Sequence, residues 1–268
     1  MVGAGNSSKF SQGTVTASGL ALNIYLMSES KAASYLSLDS IISDNGHSVS
    51  LNISGNKPGD GGVFLRGDKS NTFTGNTYVS GRRNHLVLEK TNGAIAVRGD
   101  IYVKDQALLR FGNSNQILKT SSVTLRNFGT LQTLANFDIT NTFQSLIVED
   151  NGIVHFNHTE GYSERSKYYI KIDDLRINQG GHLEVHGWQE GRDFLLVRRT
   201  SAALEDALTK MSFAGYDPNA IHLEEYDSEY WSISSTPEPA TYGALLGAIG
   251  LGLMIWRRKR AANAHAAQ

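Results

Sequence analysis

Four short stretches carry side chains able to do chemistry: Asn136-Phe137-Asp138, Asp173-Asp174, His182-Leu183-Glu184-Val185-His186 and, before the last, His155. Two carboxylates converging on one bond supply a general acid and a general base, the arrangement that cleaves glycosidic links. Imidazoles interleaved with a carboxylate can instead hold Zn²⁺ or Cu²⁺. Both chemistries require convergence. In one strand Asp173 and Asp174 point to opposite faces, and His182, Glu184 and His186 share a face. His182 and His186 then lie ~13 Å apart, too far to share one ion. Asp44, Asp60 and Asp68 stand near glycines but lack the nine-residue period of calcium-binding β-rolls. The expectation is a solvated polar face, with no metal site, no cofactor and no enzymatic activity.

A repeat positions these side chains. Ile101-Tyr-Val103-Lys-Asp105-Gln-Ala107-Leu-Leu109-Arg-Phe111 lies over Leu146-Ile-Val148-Glu-Asp150-Asn-Gly152-Ile-Val154-His-Phe156, with a small residue at the seventh place. Val123-Thr-Leu125 with Gly129-Thr-Leu131, and Leu175-Arg-Ile177 with Gly181-His-Leu183-Glu-Val185, fit the same template. The starts at 101, 123, 146 and 175 are spaced by 22, 23 and 29 residues, and a looser copy begins at Thr77. Val103, Leu109, Phe111, Val148, Val154, Phe156, Ile177, Leu183 and Val185 alternate with Lys104, Arg110, Glu149, His155, Asn178 and Glu184, the period of a strand with one buried face. Short strands repeating at such intervals predict a solenoid. The expected fold is all-β, a right-handed parallel β-helix. One interior column holds Val103, Leu125, Val148 and Ile177, a second holds Leu109, Leu131, Val154 and Leu183, and His155 falls beside Glu184.

Composition sets bounds. With 268 residues, 40% of them hydrophobic, 27 glycines and 4 prolines, the chain can bury a sizeable core. A formal net charge of −1 gives no electrostatic case for nucleic acid. Cysteine is absent, so disulfides and thiolate chemistry are excluded.

The ends differ from the repeats. Leu204, Leu208 and Met211 at helical spacing predict an amphipathic helix over 202–211, followed by a turn at 212–218 and strands around Ile221–Leu223 and Tyr230–Ile233, together a cap at 201–234. Thr236-Pro237-Glu238-Pro239-Ala240 then leads into an uncharged apolar run closed by Trp256-Arg257-Arg258-Lys259-Arg260. The prolines keep their tripeptide extended. Residues 240–256, 17 in number, span ~25 Å as a helix, near the thickness of a bilayer core. Trp256 at the interface and the basic cluster Arg257, Arg258, Lys259 and Arg260 orient that helix with the C-terminus cytoplasmic. At the other end, Gly19–Met27 is weakly apolar, but Asn23 interrupts it and no basic leader precedes it. The expectation is that the chain is the C-terminal part of a longer protein or that its start lies upstream of Met1, so that 1–48 are truncated N-terminal rungs, with 49–200 the solenoid body, 235–260 a sorting segment and 261–268 a cytoplasmic tail.

Three resemblances bear on these residues. Pro237-Glu238-Pro239, the Gly/Ala-rich helix and the terminal Arg/Lys cluster resemble the PEP-CTERM sorting signal of Gram-negative bacteria, including the continuation Pro239-Ala-Thr-Tyr-Gly243. The likeness covers 235–260. It implies an exosortase as partner, a precursor held in the inner membrane, cleavage near Pro237–Pro239, and a cell-surface or extracellular product. Asn71-Thr-Phe73-Thr-Gly75-Asn-Thr77-Tyr-Val79, then Leu86-Val-Leu88 and Asn92-Gly-Ala-Ile95, resembles the autotransporter-associated β-strand repeat, with Asn76 in place of a second glycine. That likeness implies a structural or adhesive passenger, in contact with exopolysaccharide or other surface proteins. The motifs of the first paragraph are similar to the N-x-D, D-D and H-G elements of polygalacturonase-like hydrolases, which would make the chain a β-helix carbohydrate-active enzyme, a hydrolase or lyase. No Arg-x-Lys follows His186, and the chain is short for the ten rungs usual in that family.

Overall fold

The computed structural model describes residues 7–26, 34–55, 61–158 and 166–237, and in it the chain is all-β, winding through about seven turns of a parallel β-solenoid. The first turn contains β1 (Ser7–Phe10), β2 (Thr14–Val15) and β3 (Ala21–Leu26), and the second β4 (Ser34–Leu38), β5 (Ile41–Ile42) and β6 (Ser50–Gly55). The third has β7 (Gly61–Leu65) and β8 (Thr77–Ser80), the fourth β9 (Asn84–Leu88) and β10 (Ile101–Lys104), and the fifth β11 (Leu108–Phe111) and β12 (Ser122–Arg126). The sixth has β13 (Gly129–Thr133) and β14 (Ile139–Val148), and the seventh β15 (Asn151–Phe156) and β16 (Tyr168–Ile177). After them come β17 (His182–His186), β18 (Asp193–Arg198), a helix α1 (Leu204–Leu208), β19 (Met211–Phe213), β20 (Tyr216–Glu225) and β21 (Tyr230–Pro237). One sheet stacks β1-β4-β7-β9-β11-β13-β15-β17-β19; the other stacks β3 to β16 by turns and ends in β18, β21 and β20. Ala21–Leu26, within the weakly apolar stretch near the N-terminus, is thus a strand paired with β6.

Alternation explains the interior. Val103 pairs with Leu125, Leu125 with Val148 and Val148 with Ile177, and all four are buried, so the first predicted column exists. Ile24, Ile53 and Val79 extend it toward the N-terminus. The second column holds as far as Leu109, Leu131 and Val154, but Val154 then pairs with Val185, while Leu183 lies beside Gly152. The cause is a longer corner. From Val148 the chain reaches Gly152 through Glu149-Asp150-Asn151, whereas from Ile177 it reaches the equivalent Leu183 through five residues that include Gly180 at φ +77°. Two additional residues preserve the side-chain period of 2, so the apolar pattern is blind to the shift. The small residue at the seventh place has a packing cause: a Cβ on Gly129 would strike the carbonyl of Val103, and one on Gly152 would sit 2.9 Å from the Cβ of Leu125. Where Ala107 and Gly129 follow a corner, two left-handed residues make the bend: Asp105 and Gln106 at φ 59° and 62°, Asn127 and Phe128 at 46° and 62°.

Between the two sheets runs a third wall of short segments and of the first halves of β14 and β16. Three buried amides stitch it together. Asn71 accepts from Ile42 N–H and donates to Ala96 O; Gln116 accepts from Lys90 N–H and donates to Lys90 O; Asn141 accepts from Gln116 N–H and donates to Asn113 O. Each satisfies backbone groups that a regular ladder leaves open at this wall.

At the C-terminal end α1 covers only Leu204–Leu208, half of the predicted helix. Met211 belongs to β19, which pairs Met211 with Leu183 and Phe213 with Val185, so the stack claims these residues as one more strand. β21 lies antiparallel to β18 and to β20, closing the second sheet with a reversed strand.

Candidate functional site

The aspartates of the hydrolase-like pattern do not converge. Asp138 precedes β14 and accepts the Lys167 N–H at 2.8 Å. Asp173 pairs with Arg198 Nε at 2.7 Å, and Asp174 takes the Ser201 hydroxyl at 2.7 Å and Arg176 Nε. The expected opposite orientation of Asp173 and Asp174 fails: β16 bends here, its ladder with β14 skips from Ile172 to Asp174, and both carboxylates reach the surface half-buried. His186 belongs to the other sheet. Each acid is held by a cation or an N–H, as surface carboxylates on a scaffold are.

The histidine column differs from expectation in register. The longer corner after β16 places His155 beside His186, with ring centroids 6.0 Å apart, and Ile153 rather than His155 beside Glu184. Glu184 Oε2 lies 2.9 Å from His186 Nε2 but off the hydrogen-bonding direction. Gln132 Nε2 lies 2.9 Å from His155 Nδ1 and donates to it, which puts the proton of a neutral ring on Nε2. Burial, with His186 and Arg110 adding to it, pushes the His155 pKa down. His182 faces away to the Ser212 hydroxyl, 2.8 Å distant. Among the described residues no three of His, Asp and Glu are grouped to hold a metal ion.

Sequence reasoning missed two buried polar sites. At the first, Asp193 opens β18 with its side chain wholly buried, accepting Gln189 N–H at 2.8 Å and lying 2.7 Å from His158 Nε2. Trp188 Nε1 donates to Asp193 O, and the His158 ring stacks on Tyr168 at 5.0 Å. Arg192 Nη2 lies 3.4 Å from both His158 Nδ1 and Ser166 O. A guanidinium facing Nδ1 makes that nitrogen the acceptor, so Nε2 carries the proton toward Asp193. Burial raises the Asp193 pKa, opposed by the His158 hydrogen bond. With both ring nitrogens engaged, His158 is a clamp between turns rather than a base. Its partner lies 35 residues away, and the only local signal is Trp188 and Asp193 flanking Gly191. At the second site, Lys90 is 1% exposed with Nζ donating to Arg66 O at 2.8 Å; burial lowers its pKa to about 8, with Asp39 and Asp68 opposing.

Of the sorting segment, Thr236 and Pro237 end β21, where Pro237 pairs with Tyr216. Glu238, Pro239, the predicted span 240–256 with Trp256, and Arg257, Arg258, Lys259 and Arg260 lie outside the described residues. Among the described residues no helix is long and apolar enough to cross a membrane. No protein-family model, curated protein or solved structure matches the chain.

Proposed function

We propose that the chain is the β-solenoid portion of an exported surface protein, held in the inner membrane by a PEP-CTERM-like segment until an exosortase cuts it near Pro237-Glu238-Pro239. The observation that carries the reading is the ordered triad in 235–260: proline-bracketed glutamate, apolar run, Arg/Lys cluster. The fold is consistent with it. Pro237, paired with Tyr216, is the last residue of β21, so a cut just beyond it removes no described strand from the stack. After release the solenoid acts as a structural or adhesive element at the cell surface or in the extracellular matrix, in contact with exopolysaccharide or other surface proteins, and the role is non-enzymatic. The engaged state of Asp138, Asp173 and Asp174 supports that last point. α1 and the β20–β21 hairpin serve as its cap.

Mass spectrometry of the surface fraction from a host with an exosortase tests the processing. The mature product should end near Pro237–Pro239, and Pro237→Ala with Pro239→Ala should leave the protein in the membrane fraction. A mature product carrying an intact peptide through Arg260 sinks the reading.

A further inference from the structure

The outer face of the second sheet carries a pair of stacked phenols. Tyr78 of β8 and Tyr102 of β10 are ladder partners on adjacent turns. Both point outward, since Thr77 and Val79 beside one, and Ile101 and Val103 beside the other, are buried. The rings lie parallel, with centroids 5.0 Å apart and planes 14° from one another. Nearly parallel rings set one rung of ~4.8 Å apart bring the carbons ortho to the two hydroxyls over one another. Tyr78 is 39% exposed and Tyr102 half-buried, so both phenols meet solvent. The stack stops at these two residues, because the register places Asn52 before Tyr78 and Thr124 after Tyr102. Asn76 Nδ2 donates to the Tyr78 hydroxyl at 3.4 Å and steadies that ring.

We propose that Tyr78 and Tyr102 are an oxidative cross-linking site, joined as dityrosine between the third and fourth turns by hydrogen peroxide acting through a haem peroxidase. Each phenol gives up one electron and one proton and becomes a phenoxyl radical with spin at its ortho carbons. Two ortho carbons then form the new C–C bond. Each of them releases its hydrogen as a proton while its oxygen takes one back, which restores two aromatic phenols. In sum two hydrogen atoms leave, and one hydrogen peroxide accepts them and becomes two waters. Coupling draws on π lobes perpendicular to the ring, so parallel rings present them to each other and crossed rings do not. The other tyrosine pair among the described residues, Tyr169 and Tyr226, is crossed at 62° and 6.4 Å. Tyr169 does stack on Phe194, at 4.8 Å and 7°, but Phe194 has no hydroxyl hydrogen to give up. The described tryptophans that would compete for a radical, Trp188 and Trp231, belong to the other end of the stack. In a chain without cysteine, the bond supplies the covalent tie between turns that a disulfide would otherwise make. It closes the loop from 78 to 102 and so restricts the unfolded chain.

The test treats the dilute full-length chain in detergent micelles with hydrogen peroxide and a haem peroxidase, beside free tyrosine as a control for the oxidant. The monomer should gain the blue fluorescence of dityrosine. Tryptic digestion should yield Ser70–Arg82 joined to Gly99–Lys104, lighter than their sum by the two hydrogens lost; each peptide has one tyrosine and neither has methionine or tryptophan. Tyr78→Phe and Tyr102→Phe keep the stacked ring and should each abolish that product, while Tyr226→Phe should leave its yield unchanged. A monomer without dityrosine under conditions that couple free tyrosine would overturn the proposal. So would dityrosine confined to dimers, a link mapping to Tyr169 and Tyr226, or a yield untouched by Tyr78→Phe.

Discussion

At the end where β1 and β3 lie, Phe10 and Tyr25 are 54% and 53% exposed; at the other end Trp188 and Tyr230 are 5% and 6% exposed. The same repeating strand meets solvent in two ways. At the C-terminal end the chain reverses direction, and aromatic rings fill the gap: Trp188 packs edge-on against Phe213 and Tyr216, both at 5.2 Å, and Arg199 lies over Trp231. At the N-terminal end no described residue does this work. A solenoid turn draws its stability from having neighbours on both sides. Among the described residues the contrast therefore predicts a gradient of local stability along the axis, high in the middle, maintained at the capped end and low at the first described turn.

Substitutions that probe the gradient should rank accordingly. Val148→Asp, in the middle of the buried column, should cost about 4 kcal/mol or more by burying an unpaired carboxylate, while Ile24→Asp in the same column, half-buried in the first described turn, should cost less than half as much. Urea unfolding of the two variants decides it, and equal costs would erase the gradient. Trp188→Ala should cost about 3 kcal/mol through lost burial and the freed Asp193 carbonyl, against under ~0.5 kcal/mol for Tyr25→Ala, read as a difference in melting temperature.

Lys90 gives an effect of opposite sign. Its folded pKa is depressed to about 8 from 10.5, so the unfolded chain holds the proton through that interval and stability rises with pH across it. Lys90→Met should thus be more stable than the parent at pH 7, by about 2 kcal/mol, with the advantage fading by pH 10.5. Denaturant midpoints at pH 7 and pH 10.5 test this, and a variant less stable at both would show that the bond to Arg66 O outweighs the buried charge.

The smallest effects set the two ends against each other in acid. Burial raises the Asp193 pKa, so its contribution is full below the ordinary carboxylate value near 4 and is lost as pH rises through the raised value. Burial also pushes Asp44 upward, but hydrogen bonds from Val49 N–H and from the Thr74 hydroxyl and N–H outweigh it and hold the carboxyl low. That contribution is present above pH ~4 and lost as pH falls further. Between pH 3 and 6, Asp193→Asn should remove a decline seen with rising pH, and Asp44→Asn one seen with falling pH, each measured as the stability difference from the parent chain.

Much of the solenoid was legible because inward and outward residues alternate over several copies, which is why Val103, Leu125, Val148 and Ile177 align as read. The register at Leu183 was not, since a corner lengthened by two residues leaves the alternation intact. The helical spacing of Leu204, Leu208 and Met211 misled in part because Met211 finds a better partner in Leu183 across the stack than in its own helix. The clamp of His158, Arg192 and Asp193 was invisible for a different reason: its members belong to successive turns, and neither their types nor their spacing departs from an ordinary loop.

The buried amides of Asn71, Gln116 and Asn141 have a consequence for how the stack assembles. A turn laid down two residues out of place would still bury every apolar side chain, as the corner before Leu183 demonstrates. It would not still place Asn141 opposite Gln116 N–H and Asn113 O, and a stranded amide in the interior costs about 1–3 kcal/mol for each group left unsatisfied. Hydrophobic burial thus draws each arriving turn onto the last without distinguishing even-numbered slips, and the amides reject the slipped ones. They act as a proofreading step in folding, applied turn by turn between residues only a few tens of positions apart in the chain.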